Sequence, residues 1–369
     1  MSIQKTTLLF LSGGSQVAQF MLTALHGRRE PLRLLATTSI SDDTGLWTYE
    51  KVFLAPVTRQ DPVAYGQRVL DIVSAEGVDL IVPCRDDDTE ALAELAALHP
   101  HIASKALSGP HCVARAMADK WLSFELSAAH GLPFAESHIP ECKESARDFA
   151  ERVGYPLIAK PRDGFSSRGI FLIENHDQLQ RTAAKANYVF QEYLDDPDEY
   201  RSFKRSIEED GLPLYYTLHG LKHSIELMFG PDSKVCDQFA TYNKQTFRTR
   251  YVRPNTEAET LALGRQCGEV FSQLGWRGPL NIQCQRDRRG RLKIHEFNGR
   301  YGALAAERGL LGYDEVALGL ELFTGVKLKP TSWTARPAEH VVAQLASRGS
   351  DPANVAALQK NGEWSPPAA

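Results

Sequence analysis

At 369 residues the chain is long enough for two or three domains rather than one. A hydrophobic content of 43% and a charged content of 24% fit a globular protein with a sizeable core, and a formal net charge of −4 gives no basic field, so no nucleic-acid partner is expected. The six cysteines, Cys84, Cys112, Cys142, Cys236, Cys267 and Cys284, form no CxxC pair, which favours reduced thiols and a cytoplasmic protein over a disulfide frame or a zinc site.

In chain order, residues 7–11 form an apolar run that is too short for a signal segment or a membrane span and fits a core strand; no membrane partner is expected. It meets Ser12-Gly13-Gly14-Ser15 and then a helical pattern over 16–25. A second strand is expected at 32–37 and a later one at 78–83, with helical spacing across 62–76 between them. Strands alternating with helices in units of this size imply an α/β domain with a parallel sheet, placed at residues 1–106. The Gly13-Gly14 turn supplies only part of the GxGxxG fingerprint, so a close-packed strand-to-helix turn is preferred to a dinucleotide site. Asp86-Asp87-Asp88 either face a ligand at the carboxyl edge of the sheet or cap a helix over 89–98, and capping is preferred.

From residue 107 the pattern becomes α+β with antiparallel strands. Helices are expected at 120–129, 145–153, 177–186 and 257–274, and strands at 157–160, 169–173, 188–193, 214–218, 224–229, 235–242, 280–286 and 292–297. This second domain is placed at 107–330, divided into a central or lid part at about 107–187 and a C-terminal part at 188–330. Residues 331–369 read as a Pro-, Ala- and Ser-rich tail with one short helix at 354–359.

Four stretches point to a nucleoside triphosphate, and their order carries more weight than any one of them. Lys120 stands at a helix start, in Ala118-Asp119-Lys120. Lys160 ends a short apolar strand and precedes Pro161-Arg162-Asp163-Gly164-Phe165-Ser166-Ser167-Arg168-Gly169. Backbone N–H groups of a Gly/Ser loop can close over phosphate oxygens while lysines neutralise them as point charges. The third stretch, Phe190-Gln191-Glu192-Tyr193-Leu194, is an apolar strand entering an acidic loop. Its backbone between Glu192 and Leu194 can supply the acceptor and donor that an adenine ring needs, with Glu199 at a distance suited to a ribose hydroxyl; taken alone, an ordinary edge strand explains it equally well.

The fourth stretch is decisive. Asn281-Ile282-Gln283 on one strand precedes Glu296-Phe297-Asn298-Gly299-Arg300 on the next. Alternation puts Glu296 and Asn298 on one face, where Gln283 of the neighbouring strand can join them. Three oxygen-bearing side chains at a strand end make a hard-cation site, in which Mg²⁺ takes phosphate oxygens as its remaining ligands. Arg300 follows on the same side, able to stabilise a transferring phosphoryl group.

In order and spacing these elements resemble the ATP-grasp superfamily, and within it the carbamoyl-phosphate-synthase large-subunit-like branch, whose metal ligands include Gln, Glu and Asn. The resemblance covers about residues 108–328, and the first domain is similar in architecture to the Rossmann-like pre-ATP-grasp domain of that superfamily. It implies that Lys120 and Lys160 hold the α- and β-phosphates of ATP, and that the loop from Ser166 through Ser167 and Arg168 to Gly169 closes over the triphosphate. Glu192 and Leu194, beside Gln191 and Tyr193, would bracket adenine through their backbones. Glu296 would bridge two Mg²⁺ ions (Mn²⁺ being a plausible substitute), with Gln283 on one and Asn298 on the other, and Arg300 would serve the γ-phosphate and then an acyl phosphate. The loop has only Gly164 and Gly169, and the extra sequence at about 201–222 leaves the ribose role open between Glu199 and a residue near His223 or Glu226. No glutaminase or second ATP-grasp half is present, so the chain is not a complete carbamoyl phosphate synthase.

The implied activity is ADP-forming ligation of a small carboxylate, such as an amino acid, to an amine through an acyl phosphate. The alternatives are an ATP-grasp small-molecule kinase and a non-catalytic nucleotide-binding module, and a homodimer is the assembly considered. Arg248 and Arg250, at alternate positions, are the expected carboxylate-binding pair. Tyr301, Ala303 and Glu307 are secondary recognition candidates. His219 and His223 form HxxxH outside a helix and are given a structural role, and His295 a packing role.

Overall fold

Short apolar runs build the first sheet of the computed structural model, which describes residues 5–163, 169–195, 197–211, 221–245, 249–343 and 349–367. Strands β1 (Thr6–Leu11), β2 (Leu32–Thr38), β3 (Lys51–Leu54) and β4 (Leu80–Pro83) lie in the order β3-β2-β1-β4, all parallel. A parallel sheet is covered on both faces, which is why these strands are apolar on both sides. Leu9, Leu11 and Ile81 pack with Tyr65, Val69 and Ile72 of helix Pro62–Glu76, while Leu8, Phe10 and Val82 pack with Val17, Met21 and Leu22 of helix Gln16–Ala24. The Gly13-Gly14 turn is close-packed. A Cβ on Gly13 would stand 2.5 Å from the Ala36 Cβ, and one on Gly14 2.1 Å from the Asp43 carboxyl carbon.

The helix after β4 runs from Asp86 to Leu98, three residues longer at its start than the sequence suggested. Asp86, Asp87 and Asp88 therefore lie inside its first turn, where they oppose the positive end of the helix dipole, and none of them caps it; the N-cap position belongs to Arg85. Capping is thus the wrong role for these carboxylates.

The second sheet is antiparallel, with β5 (Ser137–His138), β6 (Leu157–Pro161), β7 (Phe171–Ile173) and β8 (Tyr188–Glu192) in the order β5-β8-β6-β7. It has its own small core, in which Leu157, Ala159, Ile173 and Phe190 meet Phe149 and Leu179 of helices Ala146–Val153 and His176–Ala183. Helix Pro197–Asp210 follows, which the sequence reading did not assign although Tyr200, Phe203 and Ile207 have helical spacing; the strand expected at 214–218 lies outside the described residues.

The third sheet holds β9 (Lys222–Phe229), β10 (Val235–Gln245), β11 (Arg250–Pro254), β12 (Gly278–Arg286), β13 (Leu292–Asn298) and β14 (Val341–Ala343), in the antiparallel order β13-β12-β9-β10-β11-β14. One face carries Ile225, Leu227, Ile282 and Phe297 against Leu263 and Phe271 of helix Ala258–Gln273. Period-two alternation then leaves the opposite face of β9, β12 and β13 to polar residues.

Beyond residue 330 the chain is more ordered than its composition suggests. β14 extends the third sheet beside β11, and β15 (Glu363–Trp364) returns to pair antiparallel with β3 of the first sheet. Between them, helix Pro352–Asn361 brings Leu358 into the same core as Trp364. That core also takes in Tyr301, Met228, and Val316 and Leu320 of helix Glu315–Thr324, so the first sheet and the third share buried apolar contacts. Among the described residues no helix is long and apolar enough to cross a membrane.

Candidate functional site

The three sheets enclose a cavity of about 680 Å³, lined by the carboxyl edge of the first sheet, by β6 and β8, and by the polar face of β12 and β13. Its floor is set by strand register. Gln283 lies opposite Glu296 and Asn281 opposite Asn298, while across β9 Asn281 faces Glu226 and Gln283 faces Ser224. Six polar side chains thus share one face of three adjacent strands. Because Gln283 pairs with Glu296 but Cys284 with Ile294, His295 is the extra residue of a β-bulge, which re-aims the strand end toward the cavity.

Seven cationic and six acidic side chains line the cavity. Lys160, at the end of β6, is only 6% exposed; its ammonium donates to Gln191 Oε1 at 2.9 Å and to the His295 carbonyl at 3.2 Å. Burial pushes its pKa down to about 7, with Lys120 adding to the fall and Glu296 opposing it. Lys120 opens helix Lys120–Ala129 and is nearly buried, its ammonium near the Arg162 carbonyl at 3.5 Å. Gln191 donates to Ser137 Oγ at 3.1 Å, which fixes its oxygen toward Lys160. Burial also lowers Lys222 and, with the help of Lys160 and Lys222, takes His295 well below the usual histidine range, so this ring is neutral.

Arg300 is held by three acceptors. Its Nε and Nη2 meet Asp86 at 3.1 and 3.2 Å, Nη2 also reaches Asn298 Oδ1 at 2.7 Å, and Nη1 donates to the Tyr301 carbonyl at 3.1 Å. Burial works against this cation, and the carboxylates of Asp86 and Glu296 overcome it, holding its pKa above the ordinary value. The first helical turn after β4 therefore positions the strand-end arginine of the third sheet. Thr89 of the same helix adds a hydrogen bond to the Gly299 carbonyl at 3.3 Å.

Most of the expected site residues line this one cavity: Lys120, Lys160, Gln191, Glu192, Tyr193, Leu194, Arg250, Gln283, Glu296, Asn298 and Arg300. Arg250 begins β11 and donates to the Ala303 carbonyl at 2.9 Å; β10 ends at Gln245, so the two lie across a hairpin. Arg248, its expected partner, and Ser166, Ser167 and Arg168 lie outside the described residues. Gly169 adopts a left-handed φ of +73° and its carbonyl accepts from the Tyr188 hydroxyl at 2.9 Å. The Glu192 backbone N–H already donates to Glu136, and its side chain accepts from the Glu136 N–H, so only its carbonyl edge is left for a ligand.

Glu199 is misplaced by the sequence reading. It is exposed on helix Pro197–Asp210 and does not line the cavity, because the chain turns into a helix immediately after the acidic loop. Asp195 and Lys222 stand at the cavity wall instead. Tyr301 is 1% exposed within the core and Glu307 is buried away from the cavity, which removes both as recognition candidates, whereas Ala303 does line it. His223 is buried against Asn255 at 3.1 Å, consistent with a structural role, and His219 lies outside the described residues. Sequence reasoning also missed Ser15, Gln16 and Arg85 on the first-sheet side, and for Asp86 it preferred a cap to the ligand-facing place it had weighed; position at the carboxyl ends of parallel strands was the available signal.

Among the described residues no cluster of three His, Cys, Asp or Glu could hold a metal ion. Gln283, Glu296 and Asn298 offer one carboxylate and two amides, a donor set low in charge, which fits Mg²⁺ only when anionic phosphate oxygens complete its shell. Lys120, Lys160 and Lys222 in the same cavity supply positive charge for such an anion.

Comparison with known proteins bears on the fold. At the level of fold, the chain is similar to the ADP complex of N5-carboxyaminoimidazole synthetase from Staphylococcus aureus, with a TM-score of 0.64, 15% identity, and coverage of 89% of this chain and 80% of that one. It is similar also to the L-amino acid ligase from Bacillus licheniformis, with a TM-score of 0.63, 15% identity, and coverage of 91% and 79%. The molecule therefore has an ATP-grasp fold of mixed α/β content. More narrowly, residues 117–203 match the RimK-like ATP-grasp domain family. In sequence the chain is 29% identical over 184 residues to the D-alanine–D-alanine ligase of Chromohalobacter salexigens, a match covering 49% of this chain. The matched region spans about half the length of that curated relative, 54% of it.

Proposed function

We propose that the chain is an ADP-forming carbon–nitrogen ligase that uses ATP and Mg²⁺ to join a small carboxylate, such as an amino acid, to an amine. The observation that carries this reading is the convergence of Gln283, Glu296, Asn298 and Arg300 with Lys120 and Lys160 on one cavity. The ligase activities named for the Chromohalobacter and Bacillus relatives support it. The Gln–Glu–Asn donor set is the reason to place the chain in the carbamoyl-phosphate-synthase large-subunit-like branch, and the parallel first sheet is the reason to read residues 1–106 as a pre-ATP-grasp domain.

A carboxylate and an amine do not condense usefully in water, so the carboxylate must first take the γ-phosphoryl group and offer phosphate as leaving group. Magnesium neutralises phosphate charge when bound, and Gln283, Glu296 and Asn298 are the residues to hold it. Lys120 and Lys160 hold the polyphosphate. Arg300, braced by Asp86, stabilises charge on the transferring group and then on the acyl phosphate oxygens. Arg250 orients the carboxylate from β11.

The test is ADP release with Mg²⁺ across a panel of amino acids and small acids, singly and in pairs. Release requiring two partners supports ligation; phosphorylated product without an amine points to a kinase; no release with any pair overturns the reading. Glu296→Ala should abolish release while thermal unfolding shows an intact fold, and turnover at the normal rate would refute the metal assignment.

A further inference from the structure

Glu226, Arg308 and Glu315 form a buried ion cluster directly beneath the floor of the cavity, and the chemistry above leaves it without a task. Arg308 is 1% exposed; it donates from Nε to Glu315 at 2.8 Å and pairs through Nη2 with Glu226 Oε2 at 3.3 Å. The other oxygen of Glu226 accepts the Gly302 N–H at 3.1 Å. A buried ion cluster is at best a weak source of stability, which makes a role in orientation worth testing.

The cluster fixes a polarity. Glu226 uses one oxygen to accept the Gly302 N–H and turns the other to Arg308, so the side chain that shares that second oxygen presents a donor. That side chain is Asn281, whose Nδ2 donates to Glu226 Oε2 at 2.8 Å and to Ser224 Oγ at 2.7 Å. With its amino end committed, Asn281 turns Oδ1 the other way, where it accepts from Asn298 Nδ2 at 3.3 Å and from Gln283 Nε2 at 3.5 Å. The amino ends of both amides are thereby engaged at the floor, and the Asn298 oxygen points to Arg300, 2.7 Å away. Packing leaves no slack in this chain of bonds. A Cβ on Gly302 would come within 2.8 Å of Arg308 Nη2 and 3.1 Å of Asn281 Nδ2.

We propose that Asn281 is a positioning residue: oriented by the Glu226–Arg308–Glu315 cluster, it turns the oxygens rather than the amino groups of Gln283 and Asn298 toward the metal–nucleotide site. The inference rests on the reading of Gln283, Glu296 and Asn298 as metal ligands. An amide turned the wrong way presents N–H groups to a divalent cation, so loss of the orienting partner weakens metal binding in particular, and partners of this kind are typically worth about 10–100-fold in metal affinity.

The experiment measures the affinity of a non-hydrolysable ATP analogue by titration calorimetry, once in EDTA and once with Mg²⁺. Mn²⁺ binding to the protein–analogue complex is followed separately by electron paramagnetic resonance. For Asn281→Leu the expected result is an affinity in EDTA within about threefold of the parent and a 10–100-fold loss of the gain that metal confers. Asn281→Ser, whose hydroxyl imposes no polarity, is the second variant should the leucine variant fail to fold, and should show the same split. A folded variant that keeps the full metal gain overturns the inference, as does an equal loss with and without metal, which would mark a general structural role. A parent protein with no metal gain at all overturns the metal reading itself, and the inference with it.

Discussion

Lys160 carries its charge at a cost, since burial holds its pKa at about 7. An anion bound beside it favours the charged form and raises that pKa. At pH 8 roughly nine-tenths of Lys160 is neutral before binding, so nucleotide entry should take up close to one proton. The sign follows directly: affinity falls as pH rises above 7, by at most about tenfold per unit, until the bound-state pKa is passed. Calorimetry in buffers of different ionisation enthalpy measures the uptake, and Lys160→Ala should both weaken binding and abolish it. Asp86 offers a second check. Asp86→Asn removes the two-point grip on Arg300, so kcat should fall about 10–100-fold while KM for ATP moves less than threefold, because Arg300 acts on the transferring group rather than on adenine or ribose. At this scale the sequence was most legible in which residues come together, since Lys160, Glu296, Asn298 and Arg300 all line the one cavity. It misled where position depends on the path of the backbone. Glu199 lies close in sequence to the strand beside the cavity, yet a helix starting at Pro197 carries it outward. Asp86, which sequence reasoning assigned to a cap, proves to hold Arg300.

Elements with a long period were readable, and short ones were not. Helix Pro62–Glu76 and helix Lys120–Ala129 run between the residues their apolar spacing and flanking breakers indicate. Strands β5 and β15 have two residues each and β14 three, too few for any alternation to register, and their existence depends on partners distant in the chain. The bulge at His295 is invisible for the same reason, since it is a property of pairing between β12 and β13 and not of either strand alone. β15 nevertheless matters. Trp364 is 8% exposed and meets the Trp47 ring edge-on at 5.0 Å between centroids. Trp364→Ala should cost about 3 kcal/mol in urea unfolding, at the low end for a buried aromatic because the strand lies at a sheet edge. Nucleotide affinity should stay within twofold of the parent, since the site lies on the far side of β1.

For the whole molecule, the placement of cores sets which parts open together. The first sheet and the third are joined through Tyr301, Met228, Val316 and Leu320, and by the buried Arg28–Asp314 ion pair. Among the described residues, the second sheet packs on its own small core of Phe149, Leu157, Phe190 and their neighbours. Hydrogen exchange should therefore show the amides of β5–β8 opening at lower free energy than those of β1 or β12. Because Lys160 and the 192–194 segment sit on or beside that sheet, added nucleotide and Mg²⁺ should slow its exchange most; uniform protection across the molecule would contradict this division.

The return of β15 to the edge of β3 has a consequence for biosynthesis. As the chain leaves the ribosome, β1 to β4 emerge some 280 residues before their covering strand, an interval read directly from residues 83 and 363. During that time β3 presents an open row of backbone donors and acceptors of the kind that recruits other strands. Until the Glu363–Trp364 segment has been translated and has closed the edge, that row is a place where newly made copies can mispair with each other.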